Sequence, residues 1–204
     1  MNEIKENIQT DRYWIDKVLG GDTNAFASII QNTEGLVTQI VFKMISRAED
    51  RKDIAQDIYL KAFKSLPGFR YQSKLSTWIA QIAYNTCLSY LERKKLVLLD
   101  QVQENNDPDE ESLELANKKS VVNLFNSTEN DIFQRELNEI LKSEIEQLSP
   151  LHRTLITLYH NEELSYEEIA RITQLPEGTV KSYLFRARRS LKDNLLRKYK
   201  KEEL

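Results

Sequence analysis

The residues best suited to chemistry lie in one stretch, Ser165–Leu191, SYEEIARITQLPEGTVKSYLFRARRSL. Ser165 followed by Glu168 is a capping box, so a helix starts there. Ile169, Ile172 and Leu175 mark its buried face and the turn that follows. Pro176 suits the start of a second helix, where its missing N–H costs nothing, and Glu177 sets negative charge against the positive end of the dipole. At about 100° per residue, Val180, Leu184, Ala187 and Leu191 form the core stripe of that helix. Ser182, Phe185, Arg186, Arg189 and Lys192 share the opposite side, flanked by Lys181 and Arg188. A solvated face explains the cations but not Phe185, a large ring opposite the core. A DNA major groove explains both, because Arg and Lys read guanine edges and a ring can touch a thymine methyl.

The elements that must position this face are helical throughout. Of 204 residues, 40% are hydrophobic and 30% charged, with only 5 Gly and 4 Pro, and the apolar residues recur at helical spacing. An all-α chain of one or two small soluble domains is expected. The net charge of −3 hides a strong separation. Pro176–Lys200 carries eight Lys/Arg against Glu177 and Asp193, whereas Asp100–Asn117 carries seven acids and no base. One end is built to meet a polyanion and the middle is not.

Asp11–Leu19 reads as a short helix after ten frayed residues, with Asp22 as the N-cap of the next. Phe26 to Ile45 supplies the core side of a helical hairpin. Glu49–Leu66 is a further helix closed by Pro67-Gly68, with Ile54, Ile58 and Ala62 inside. On its other side cluster Asp53, Gln56, Asp57, Leu60 and Lys64, which is either a docking face or a solvated face with one exposed leucine. Phe69–Thr77, FRYQSKLST, is a basic aromatic loop, followed by a helix capped by Ser76 or Thr77 and ending at Arg93–Lys95. Such a loop could stack an unpaired base, but these residues alone favour an ordinary loop with Trp78 in the core. Residues 96–130 break the pattern and read as an acidic linker, with a weak helix over Leu113–Phe125. Order returns at Ile132, and Pro150 opens the helix that precedes the DNA-reading pair.

Catalytic constellations are missing. His152 and His160 are the only histidines and Cys87 the only cysteine, so metal-ligand spacing and an internal disulfide are excluded. There is no phosphate-cradling glycine loop, and the adjacent acids sit at helix ends. No apolar run approaches membrane-spanning length and no secretory signal opens the chain, so a cytoplasmic protein without membrane insertion or cofactor is expected.

Three blocks, DIAQDIYLKAF, FRYQSKLSTWIAQIAYN and LSYEEIARITQLPEGTVKSYLFRARRSL, together resemble the sigma-70 family of RNA polymerase sigma factors, in its small extracytoplasmic-function (ECF) form. The resemblance implies a region 2-like domain over 11–95, a linker over 96–130 and a region 4-like helix-turn-helix domain over 131–200. It implies a non-enzymatic subunit that binds core RNA polymerase and directs promoter-specific initiation. Asp53, Gln56, Asp57 and Leu60 would dock on the β′ clamp helices, with the β flap a second contact. Tyr71, Gln72, Ser73, Lys74, Trp78 and Asn85 would open the −10 element and hold a flipped base. Thr179, Lys181, Ser182, Phe185, Arg186, Arg188 and Arg189 would contact the −35 element, with Arg188 and Thr179 on phosphate. An anti-sigma partner is implied as well, and the linker would cross the polymerase's RNA exit region. The alternative is a stand-alone helix-turn-helix regulator, although nothing in Asn2–Arg93 resembles a ligand-binding domain. Three positions depart from the family pattern. Gln174 stands where the turn usually has glycine, and Tyr183 and Tyr84 stand where bases are usual.

Overall fold

The computed structural model describes residues 2–104 and 129–198, and every regular element in them is helical. The helices are α1 (Asn2–Leu19), α2 (Phe26–Met44), α3 (Ala48–Ser65), α4 (Leu75–Glu104), α5 (Glu129–Glu146), α6 (Pro150–His160), α7 (Tyr166–Thr173) and α8 (Glu177–Lys198). Short 3-10 turns precede α2 and follow α3. The weak helix expected over Leu113–Phe125 lies outside the described residues.

Several local expectations change. α1 begins at Asn2, because no glycine or proline interrupts the residues expected to fray. Phe26 to Met44 is one continuous helix, not a hairpin. Gly35 sits inside it in open space, where its cost of about 1 kcal/mol relative to alanine is outweighed by the buried stripe of Phe26, Ile29, Val37, Ile40, Val41 and Met44. Asp22 precedes a 3-10 turn but makes no side-chain cap. α4 starts at Leu75, so Ser76 and Thr77 lie within it, and it continues past Lys95 to Glu104. Its cap comes from elsewhere in the chain: the Leu75 N–H donates to Asp11 Oδ2 at 3.2 Å.

α1–α4 bury Ile15, Ile29, Ile40, Met44, Ile58 and Ile79 at the centre of the first domain, with Cys87 sealed among them. α6–α8 bury Leu155, Leu158, Ile169, Ile172, Val180 and Leu184 in the second. The two groups meet in one continuous apolar core, because α2 packs on α6 and α4 packs on α7.

Charge seals that boundary. Arg153 of α6, with only 9% of its side chain exposed, reaches the end of α2. Its Nε donates to the Lys43 carbonyl at 2.7 Å, and Nη1 donates to the Glu146 carbonyl at 2.8 Å and to Glu146 Oε2 at 3.0 Å. Lys43 pairs with the other oxygen of the same carboxylate. A guanidinium therefore satisfies a terminal carbonyl that α2 cannot bond itself. The arrangement is costly to break from one side, since a lone remaining charge would be left partly desolvated.

Candidate nucleic-acid interface

The helix-turn-helix forms as its sequence demands. Ser165 Oγ accepts from the Glu168 N–H at 3.2 Å and Glu168 Oε2 accepts from the Ser165 N–H at 3.0 Å, completing the capping box. Gln174 ends α7 in the left-handed region, with φ of 57° and ψ of 25°. It occupies the position where the absence of a Cβ would relieve strain. The turn then feeds Glu177 into α8, whose Val180, Leu184 and Ala187 are buried.

On the opposite side of α8, Lys181, Ser182, Phe185, Arg186 and Arg189 line one shallow groove. Phe185 is 66% exposed. Lys181 is tied to Glu177 at 2.6 Å and lies over the Tyr166 ring. Glu177 is the main reason its ammonium is held more basic than usual. Ser182 Oγ donates to the Gly178 carbonyl, and Arg189 has a loose contact with Asp193 at 3.9 Å. Arg186 has no acidic partner among the described residues and lies over the Tyr183 ring at 5.9 Å. Arg188 points away to the flank, over Tyr159 at 4.8 Å and donating to His160 Nε2 at 3.3 Å. Thr179 is half-buried near the helix start. The helix thus brings the expected base-facing group together and leaves Arg188 on its shoulder.

The loop from Phe69 to Lys74 is built differently. Phe69 is buried between two rings, Tyr71 at 4.9 Å and Trp78 at 5.2 Å. Tyr71 has φ of 55°, an unusual left-handed conformation for a bulky residue, and its ring carries the Arg12 guanidinium at 5.8 Å. Strain of this kind persists only where the surroundings hold it. Here the aromatic stack, Arg12 and the Asp11 cap hold it. Trp78 is half-buried, so it serves both the core and the cleft that opens beside it. Asn85 lies half-buried two turns further along α4.

Sequence reasoning missed five participants here. Phe69 packs against the rings of exposed Tyr71 and half-buried Trp78, and Asp11 and Arg12 arrive from α1. Arg171 of α7 donates to the Gln72 carbonyl. Its neighbour Glu168 pairs with Lys74 at 2.8 Å. The Glu168 carboxyl is held below its usual range: burial opposes this, but Lys74 and the Ser165 cap outweigh it. A cleft of about 550 Å3 separates loop and helix, lined by Arg70, Gln72, Ser73, Trp78, Gln81 and Arg171 among others. Helical periodicity carries no signal for such contacts, which join residues distant in the chain.

The third group lies on α3. Asp53, Gln56 and Leu60 are exposed, Leu60 to 58%, with Phe63 beside them. Asp57 is half-buried and pairs with Lys61 one turn on at 2.7 Å. Among the described residues no His/Cys/Asp/Glu group could hold a metal ion, and no helix is long and apolar enough to cross a membrane.

Known proteins fit this geometry. Sigma-70 region 2 matches residues 29–97 and Sigma-70, region 4 matches residues 138–191. The chain is 30% identical over 183 residues to the RNA polymerase sigma-H factor of Pseudomonas aeruginosa, covering 90% of this chain and 92% of that one. It is 32% identical to the ECF RNA polymerase sigma-E factor of Haemophilus influenzae, covering 91% and 95%. Its fold is similar to that of the sigma factor RpoE from Bartonella quintana, solved in complex with the anti-sigma factor NepR, with a TM-score of 0.60, 22% identity and coverage of 85% and 98%. With both regions matched in order and nearly the whole chain aligned to such relatives, the chain belongs to the sigma-70 family as a promoter-directing RNA polymerase sigma factor of the ECF type.

Proposed function

We propose that this sigma factor divides its work among the three surfaces just described, within a domain at 11–95, a linker at 96–130 and a second domain at 131–200. The α8 face of Lys181, Ser182, Phe185, Arg186 and Arg189 reads the −35 element, with Thr179 and Arg188 on phosphate. Its support is one observation: a ring and several cations share an exposed face, and Arg186 among them has no acidic partner within the described residues. The loop of Tyr71, Gln72, Ser73 and Lys74, with Trp78 and Asn85, captures an unpaired base of the −10 element by stacking and phosphate neutralisation. Asp53, Gln56, Asp57 and Leu60 dock on the β′ clamp helices, and the second domain contacts the β flap. Opening the duplex is then driven by binding energy and needs no cofactor. An anti-sigma protein restrains the chain in the cytoplasm, as NepR is found with its own sigma factor.

The test is capture of bacterial core RNA polymerase by the purified chain, followed by run-off transcription on genomic fragments. Stable capture with discrete start sites is expected. Arg186→Ala should cost about 1–3 kcal/mol of specific binding and relax one −35 position. Asp57→Arg should lose polymerase capture while the fold survives. Sequence-specific duplex binding by the chain alone, without capture, would favour the stand-alone regulator. Normal promoter selection by both variants would overturn the surface assignments.

A further inference from the structure

Among the cations of α8, Arg186 is held differently from the rest. Lys181 is paired with Glu177 at 2.6 Å, Arg189 lies 3.9 Å from Asp193, and Arg188 turns aside to Tyr159 and His160. Arg186 has no acidic partner among the described residues. Its guanidinium lies instead 5.9 Å from the centre of the Tyr183 ring, three residues back on the same helix.

Tyr183 is half-buried, and His152 of α6 packs edge-on against the same ring, with centroids 5.9 Å apart and planes at 63°. The His152 N–H donates to Ser149 Oγ at 3.4 Å, in the cap that opens α6. Its imidazole is made harder to protonate, by burial first and by the charge of Arg186 second. At neutral pH it is an uncharged ring and does not repel the guanidinium beside it.

The manner of holding matters for reading a base. A carboxylate partner engages the N–H groups of a cation, and these must be released before they can meet a guanine edge. A ring attracts the guanidinium by its face and leaves the N–H donors along its edge free. Bidentate recognition of guanine uses a pair of those donors in one plane.

Tyr183 also stands where the family usually has a base. An arginine there would add a cation for phosphate, and it would set a like charge one turn from Arg186. The phenol gives up a contact that carries no sequence information and steadies one that does.

We infer that Tyr183 is the positioning residue for Arg186: its ring holds the guanidinium ready for a guanine edge, so this sigma factor exchanges general phosphate affinity for discrimination at one −35 base pair. The inference rests on the reading role proposed for α8.

The test uses holoenzyme reconstituted from the full chain and bacterial core polymerase. Its probes are a promoter fragment recovered by genomic run-off and the single-base variants of that fragment across the −35 element, bound from about 50 to 200 mM salt. Arg186→Ala marks the base pair that Arg186 reads, as the position where preference is lost. Tyr183→Leu should lower discrimination at that position about threefold, the worth of an exposed cation–ring contact, and leave other positions and the salt dependence unchanged. Tyr183→Phe keeps the ring and should keep the discrimination. Tyr183→Arg should lose it as leucine does, bind every fragment more tightly, and steepen the fall of log affinity with log salt by about 0.9. Should the leucine variant fold poorly, the arginine variant carries the same test. In the Arg186→Ala background, Tyr183→Leu should cost no further discrimination. A loss spread evenly over the −35 positions, or one that persists in that background, would overturn the inference, because a ring that only packs behaves so. Full discrimination by Tyr183→Leu would overturn it as well. If Arg186→Ala relaxes no −35 position, the reading role of α8 fails first and the inference falls with it.

Discussion

The α8 face and the loop at Phe69–Lys74, both proposed to bind promoter DNA, are made in opposite ways. Everything needed to aim Arg186 and Phe185 is within one helix, whose buried Val180, Leu184 and Ala187 fix its rotation. The loop is instead assembled from α1, α4 and α7, with Asp11, Arg12 and Arg171 each reaching it from a distant part of the chain. The first is finished and exposed; the second is strained at Tyr71 and covered. A surface that reads sequence can be rigid and open without harm. One that captures an unpaired base is better formed under cover, because an open basic aromatic loop would hold any single strand.

Substitutions can break or sharpen this contrast. The largest effect is expected from Arg153→Leu, which strips a charge-assisted cap from Lys43 and leaves Glu146 with one cation fewer. A loss of about 3 kcal/mol in urea unfolding is expected. Single-strand access to the loop should rise, while duplex affinity at the α8 face, measured where the protein is still folded, stays within twofold. Equal changes at both surfaces would erase the distinction drawn here. Asp11→Ala should cost about 1 kcal/mol, the usual worth of an N-cap, and its damage should be confined to the loop. Fluorescence of Trp78, at the start of the helix it caps, would report that; a change in −35 selectivity would contradict it. The smallest effect has the opposite sign. Gln174→Gly should stabilise the second domain by up to about 1 kcal/mol by relieving the left-handed turn. An unchanged or lower melting temperature would mean that the Gln174 side chain, which borders the interdomain cleft, contributes more than its backbone costs.

The same contrast decides how much was legible beforehand. The capping box at Ser165, the entry of α8 after Pro176 and the exposure of Phe185 follow from rules that act within one or two turns, and each is found as expected. Leu60 on α3 was legible for the same reason. Failures fall where a distant residue substitutes for a local one. Ser76 and Thr77 are good caps by composition, yet α4 begins before them because Asp11 supplies the acceptor. The hairpin expected over Phe26 to Ile45 is instead one helix, held together by its continuous buried stripe. Lys74, implied by the resemblance to lie at the −10 strand, is paired with Glu168. Nothing in the local spacing of either residue announces the other.

Cys87 lies at the centre of the first domain with no exposed surface. Burial pushes its thiol up to about 12, despite the opposing charge of Lys61. It is the thiolate that reacts with peroxides and disulfides, and burial disfavours that form here. Within these 204 residues there is no second cysteine. Cys87 therefore contributes to the packing of the first domain and is poorly placed to react as a thiol.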